Sequence, residues 1–305
     1  MKVNEELLHK NGLAALRLAQ EIGRFRPGDR LPRINDLAGR LKLSVGTTQC
    51  GLSFLRDKNL VCLTVRGHLG TFVDSVDYAA LQEFLGQTAK AFVMPLPYSR
   101  RYEGLATAFS RLGSLRGESR LYLAFMNGSG RRIAALMEGR YDAALLSRAA
   151  ALHLIRKGAA IRIAACYGPG SFLEKHVLLH RFKNPGNIQT LGMDRESLDQ
   201  VLLAKSFLKN HPGVKVRNLP YSHIIDHLTS GGVDGAVWNL DYIREHHPPL
   251  YHSPLEPAAG EQTEAVLAIR ADDMITEDFI TRRLRVEKVR QTQAAVLRGS
   301  RLPEY

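Results

Sequence analysis

The chain has 305 residues, 45% hydrophobic and 24% charged; the length predicts two domains, and the balance excludes a long disordered or fibrous chain. Three scattered cysteines exclude a disulfide framework and a paired-cysteine zinc site. The lack of a long apolar run excludes a membrane span or signal segment, so a cytoplasmic protein with no membrane partner is expected. The net charge of +12 favours a polyanionic partner. Residues 1–75, with 12 Lys+Arg against 7 Asp+Glu, are per residue more than twice as basic as the rest.

Leu13, Leu16, Leu18 and Ile22 predict a helix over 12–24, stopped by the turn Arg26-Pro27-Gly28-Asp29. Ile34, Leu37, Ala38 and Leu41 follow the i, i+3, i+4, i+7 spacing of a second helix with one buried face. Ser44 is a candidate N-cap for a third, from which Leu52 and Leu55 point inward and Cys50 joins the core. Two helices joined by a short turn fit a helix-turn-helix. A β-branched run at 60–65, the tip Arg66-Gly67-His68-Leu69-Gly70 and a second run at 71–73 form a hairpin, placed where a wing would be.

Residues 28–73 resemble the winged-helix domain of GntR-type transcription regulators. The match lies in Gly28-Asp29-Arg30-Leu31-Pro32, Asp36-Leu37-Ala38, Ser44, Leu52, Leu55, Leu60 and Gly70-Thr71-Phe72-Val73. The resemblance implies duplex DNA as a partner, faced by Arg30, Asn35, Ser44, Gly46, Thr47, Gln49, Arg66 and His68. The sequence departs from that family at Arg33, where a capping serine is usual, and at Asn35, Val45 and Gln49, where arginines are usual. His68 replaces a wing glycine. Readout by paired arginines therefore does not carry over. Gln49 is the residue suited to an adenine edge, and Arg66 and His68 to phosphate or minor groove.

Beyond residue 75 short apolar runs at 91–98, 121–126, 142–147, 161–168, 188–193, 214–219, 234–239 and 264–270 predict strands. Helical patterns fall between them at 102–112, 131–138, 149–155, 196–208 and 221–228, which predicts a mainly parallel α/β sheet. The two halves of this series are alike, since in each a glycine-ended helix precedes an aspartate, Asp142 or Asp234, that enters an apolar strand. This arrangement resembles type II periplasmic-binding-protein-like domains, and the whole chain resembles YhfZ-type regulators. The expected fold is α/β with a small α+β domain: a winged helix-turn-helix over 1–75, then a two-lobed α/β effector domain over 76–305.

Ligands of open α/β sheets bind beyond the C-terminal strand ends, where helix N-termini offer unpaired N–H groups. Ser99, Arg100, Asn127, Ser129, Ser147 and Asp194 occupy such junctions, Tyr221 begins a later helix, and Trp238 and Asn239 close a strand. Together they predict a cleft for a small polar effector, anionic or zwitterionic, although Ser and Asn at these places also serve as plain helix caps. His223, Asp226 and His227 have helical spacing but no third ligand nearby, and His246-His247 reads as loop. No nucleophile elbow, P-loop or dinucleotide fingerprint is present, so no cofactor and no catalysis are expected. The expected function is a homodimeric DNA-binding transcription regulator controlled by its effector. The rival is an enzyme built on the α/β domain, with the winged helix as a docking module.

Overall fold

Ala14, Ala15, Leu18, Ala19 and Ile22 recur at helical spacing and bury one face of α1 (Lys10–Ile22). The computed structural model describes residues 10–87, 89–114, 120–255 and 263–305, so the first nine residues lie outside it. Two compact units emerge: Met1–Lys90 with Asp272–Arg282, and Ala91–Ala271 with Arg283–Tyr305.

In the first unit α2 (Ile34–Leu41) buries Leu37 and Ala38. Its N-cap, Arg33, makes no side-chain cap, as the missing serine predicts. In α3 (Val45–Asp57) the Ser44 hydroxyl does accept from the Thr47 N–H at 3.2 Å. α1 and α3 pack closely because Gly51 has no side chain: a Cβ there would lie 2.7 Å from Leu18 Cδ1. The strands β1 (Val61–Val65) and β2 (Thr71–Val76) pair antiparallel around a 3₁₀ turn at Gly67–Leu69. Then α4 (Tyr78–Phe84) is capped by Asp77 and buries Leu81 against Leu18, Leu37, Leu55, Leu60 and Val73. Cys50 is exposed rather than part of this core: it adjoins the buried Gly51 but faces away from α1.

The second unit has two lobes. The first contains β3 (Ala89–Met94), α5 (Arg100–Gly113), β4 (Arg120–Phe125), α6 (Ser129–Met137), β5 (Ala143–Ser147), α7 (Arg148–Arg156) and β6 (Ile161–Cys166). The second contains β7 (His176–His180), β8 (Thr190–Met193), α8 (Leu198–Asn210), β9 (Lys215–Asn218), α9 (Ile224–Thr229), β10 (Gly235–Asn239), α10 (Leu240–His246) and β11 (Tyr251–Pro254). The chain then returns to the first sheet as β12 (Ala265–Arg270). Two helices follow, α11 (Met274–Arg283), whose Ile275 joins the core of the N-terminal unit, and α12 (Val286–Leu297).

The first sheet runs β4-β3-β5-β12-β6 and the second β9-β8-β10-β7-β11. Both follow one pattern: second, first and third strands of the lobe, then the strand by which the chain crosses between lobes, then the last. The internal likeness read in the sequence is therefore a likeness of topology. The two aspartates do the same work in each lobe. Asp142 accepts from the Ala91 N–H at 2.8 Å; Asp234 accepts from the N–H of Gln189 and Thr190 at 3.1 and 2.9 Å. Each ties the third strand of its sheet to the first.

The sheets are mixed, not mainly parallel. β3 with β5, and β8 with β9 and β10, are parallel. The crossing strands β12 and β7 run antiparallel to both neighbours. An apolar strand buried on both faces reads the same in sequence whichever way its neighbours run. His246 ends α10 rather than lying in a loop, and His247 caps it in the left-handed region at φ 45°.

Candidate functional site

Between the two lobes the strand ends face a small cavity, about 50 Å³, enough for a few waters. Of the nine residues expected here, Asn127, Ser129, Tyr221, Trp238 and Asn239 line it; Ser99, Arg100, Ser147 and Asp194 do not. Arg100 is exposed and its backbone N–H donates to Glu245 at 3.0 Å. Ser99 is buried, with a hydroxyl that has no partner among the described residues. Asp194 is occupied by backbone groups, accepting from the N–H of Glu196 in its own loop at 2.9 Å and from the N–H of Tyr221 beyond β9 at 3.1 Å. Ser147 caps α7 and donates to Asp199 Oδ1 at 2.6 Å, so it reaches the cavity only through that carboxylate.

Aromatic rings form one wall. Tyr221 stacks on Trp238 with centroids 4.4 Å apart, and Tyr98 on Tyr221 at 5.6 Å. Tyr98 Oη donates to Asn127 Oδ1 at 2.9 Å, which ties this stack to the end of β4. Ser129 is already engaged across the cleft: its hydroxyl accepts from the Leu198 N–H at 3.1 Å. Gly130 N–H donates to the Glu196 carbonyl at 3.3 Å. Gly128, at φ +83°, allows this approach, since a Cβ there would lie 2.7 Å from Glu196 Cβ. Arg101, next to the arginine expected in the cleft, instead links the lobes, with Nε and Nη2 on Asp241 Oδ1 at 3.0 and 2.9 Å.

Three ionisable groups in the cavity wall were not expected from the sequence. Arg132 on α6 is 4% exposed; its Nε and Nη1 donate to the carbonyls of Leu145 and Met126 at 3.0 and 2.8 Å. Burial pulls its guanidinium down to about 10, so it is still cationic at neutral pH. Asp199, on the first turn of α8, is pushed up to about 6 by burial, against the opposing pull of Ser147 and Arg132. His176, at the start of β7, is pushed down to about 4 by burial and is neutral at pH 7. Among the described residues, His176 Nδ1 and Trp238 Nε1 are both shielded from solvent and bond to nothing. One signal for Arg132 was available: with Leu136 it forms an i, i+4 pair on the apolar side of α6, whereas Arg131 points outward.

In the N-terminal unit, Arg30, Asn35, Ser44, Gly46, Gln49, Arg66 and His68 are exposed and Thr47 half-buried. Ser44 and Thr47 hydroxyls bond each other at 2.7 Å in the cap, which leaves Gly46 and Gln49 as the open face of α3. At the hairpin the Arg66 guanidinium lies 4.6 Å over the Phe72 ring, and Arg30 pairs with Phe72 in an isolated bridge. Among the described residues no three His, Cys, Asp or Glu side chains are grouped to hold a metal, and no helix is long and apolar enough to cross a membrane.

A helix-turn-helix followed by two topologically matched α/β lobes around a cleft defines a fused class: a helix-turn-helix domain joined to a periplasmic-binding-protein-like domain. Residues 77–305 match the YhfZ C-terminal domain family and residues 26–73 a helix-turn-helix domain family, and the chain belongs to the YhfZ family. It is 30% identical over 304 residues to YhfZ of Escherichia coli (strain K12), covering 98% of each chain. The crystal structure of YhfZ from Shigella flexneri superposes with a TM-score of 0.62 at 29% identity, covering 75% of this chain and 98% of that one. The alkanesulfonate-binding protein SsuA from Xanthomonas axonopodis pv. citri shares the fold, with a TM-score of 0.55 at 13% identity over 70% of this chain and 75% of that one.

Proposed function

We propose that the protein is a transcription regulator that binds duplex DNA through its N-terminal unit and a small polar effector between the lobes of its second unit. The observation that carries this reading is the joining of a helix-turn-helix to a cleft lined by polar atoms without partners, Trp238 Nε1 and His176 Nδ1 among them. Buried polar atoms left unbonded cost roughly 1–3 kcal/mol each, so a ligand that bonds them is favoured. The hairpin beside the helix-turn-helix supports the GntR-type subclass, and a single recognition helix per chain supports action as a homodimer in the cytoplasm, where its DNA would be. Effector control requires only that the ligand bind the DNA-competent and incompetent arrangements with different affinity.

The test is a fluorescence-anisotropy titration of the full chain on DNA from upstream of its own gene, with an unrelated duplex as control and with metabolite extracts added. Preferential binding that an extract shifts is the expected result. Equal affinity for both duplexes, unmoved by any extract, would reject the proposal.

A further inference from the structure

Arg132 and Asp199 carry opposite charges and line the same cavity from different lobes, yet they form no ion pair. Among the described residues Arg132 Nη2 donates to nothing, although Nε and Nη1 are both bonded. Asp199 is 8% exposed and bonded through Oδ1 alone, which leaves Oδ2 without a donor. A buried charge without a partner is costly, and here two of opposite sign face one space.

We infer that the effector is a small zwitterion, with its carboxylate on Arg132 and its ammonium on Asp199. The inference rests on the reading of the cleft as an effector site. A simple anion would satisfy Arg132 and meet the Asp199 carboxylate; a simple cation would satisfy Asp199 and meet the guanidinium; a neutral ligand would leave both charges unanswered. A molecule with both signs answers both and draws the lobes together. The surroundings fit this polarity. Tyr221 and Trp238 stand in the same lobe as Asp199, and aromatic faces attract an ammonium. Arg132 offers a planar donor group suited to a carboxylate. Trp238 Nε1 supplies a further buried donor without a partner.

The experiment is thermal shift and calorimetry on the full chain. The probes are the twenty common L-amino acids and β-alanine, the matching acids without the amine, the matching amines without the carboxylate, and neutral sugars. At least one zwitterion is expected to bind, and its deaminated and decarboxylated counterparts are not. Asp199→Asn, nearly isosteric, should weaken that zwitterion at least about tenfold, the loss of one charge-assisted bond. It should also let the deaminated acid bind. Arg132→Gln should lose the zwitterion too; if that variant fails to fold, Asp199→Asn still decides. Equal binding of the zwitterion and its deaminated acid by the wild type, or unchanged affinity in Asp199→Asn, overturns the inference. If only anions or sugars bind, the effector reading of the cleft stands and the zwitterion falls. If no probe binds and no metabolite extract shifts DNA affinity, the effector reading itself falls.

Discussion

Asp199 makes the pH dependence of the second unit predictable. Its carboxyl is raised to about 6 in the fold, whereas an unfolded aspartate titrates near ~3.9. Between these values the folded state holds more protons than the unfolded one, so stability falls as pH rises through this window. Two pK units correspond to at most about 3 kcal/mol. Asp199→Asn keeps the acceptor for Ser147 and removes the charge. The variant is therefore expected to melt higher than wild type at pH 7 and at nearly the same temperature at pH 4. Thermal unfolding of both proteins across pH 4–7 checks this, and parallel curves would contradict the burial argument. In the N-terminal unit, Gln49 is exposed on the open face of α3, so Gln49→Ala should relax preference at one base pair by roughly 1–3 kcal/mol. Arg30→Ala should weaken all sequences alike. Binding-site selection with each variant separates the two, and an unchanged motif for Gln49→Ala would refute its assignment.

Strands and helices pair through a few side chains whose removal has a defined cost. Asp234 Oδ2 accepts from Gln189 N–H, Thr190 N–H and Thr190 Oγ1, so a single carboxylate holds β8 beside β10. Asp234→Ala strands these donors and is expected to destabilise the second unit by about 2–4 kcal/mol, measured by urea unfolding. Gly128→Ala faces two obstacles, a Cβ 2.7 Å from Glu196 Cβ and a backbone at φ +83°. It should hold the lobes apart; a larger radius of gyration by small-angle scattering is expected, and an unchanged one would show that the clasp is not needed for closure. Much of this architecture is legible in the sequence, because β5 and β10 are apolar runs between glycine-ended helices and further apolar turns. β7 was not: although the turn Gly168-Pro169-Gly170-Ser171 precedes it, His-Val-Leu-Leu-His is only five residues long and has polar ends. Among the cleft residues, Asn127, Ser129 and Asn239 were readable from their place at strand-to-helix junctions, where ligands of open α/β sheets bind, even though Asn239 also caps α10. Asp199 and His176 were not, since burial of an ionisable side chain is a property of the packed lobes; for Arg132 the one signal was its i, i+4 pairing with Leu136 on the apolar side of α6. Arg100 and Asp194 misled for a related reason: a polar residue at a junction can turn to solvent or close its own loop.

The proposed homodimer makes DNA affinity a property of two chains acting together. Arg30, Arg33, Lys42 and Arg66 are among the exposed cations of the helix-turn-helix and its hairpin, and under the proposed function these four in each protomer are assigned to phosphates. One α3 reads one half-site, so a dimer on two half-sites would neutralise about eight phosphates and give a log–log salt slope of about −7. Each cation removed from the protomer removes two from the dimer, so Arg30→Ala should flatten the slope by about 2. Anisotropy titrations of wild type and Arg30→Ala between about 50 and 200 mM salt measure both quantities. Halving the operator separates the dimer from the charge. A duplex with one half-site should bind far more weakly and with about half the slope, because only one protomer then contacts its specific phosphates. Equal affinity for half and whole sites would show that a single protomer suffices, and a slope near zero would remove the electrostatic basis for the interface.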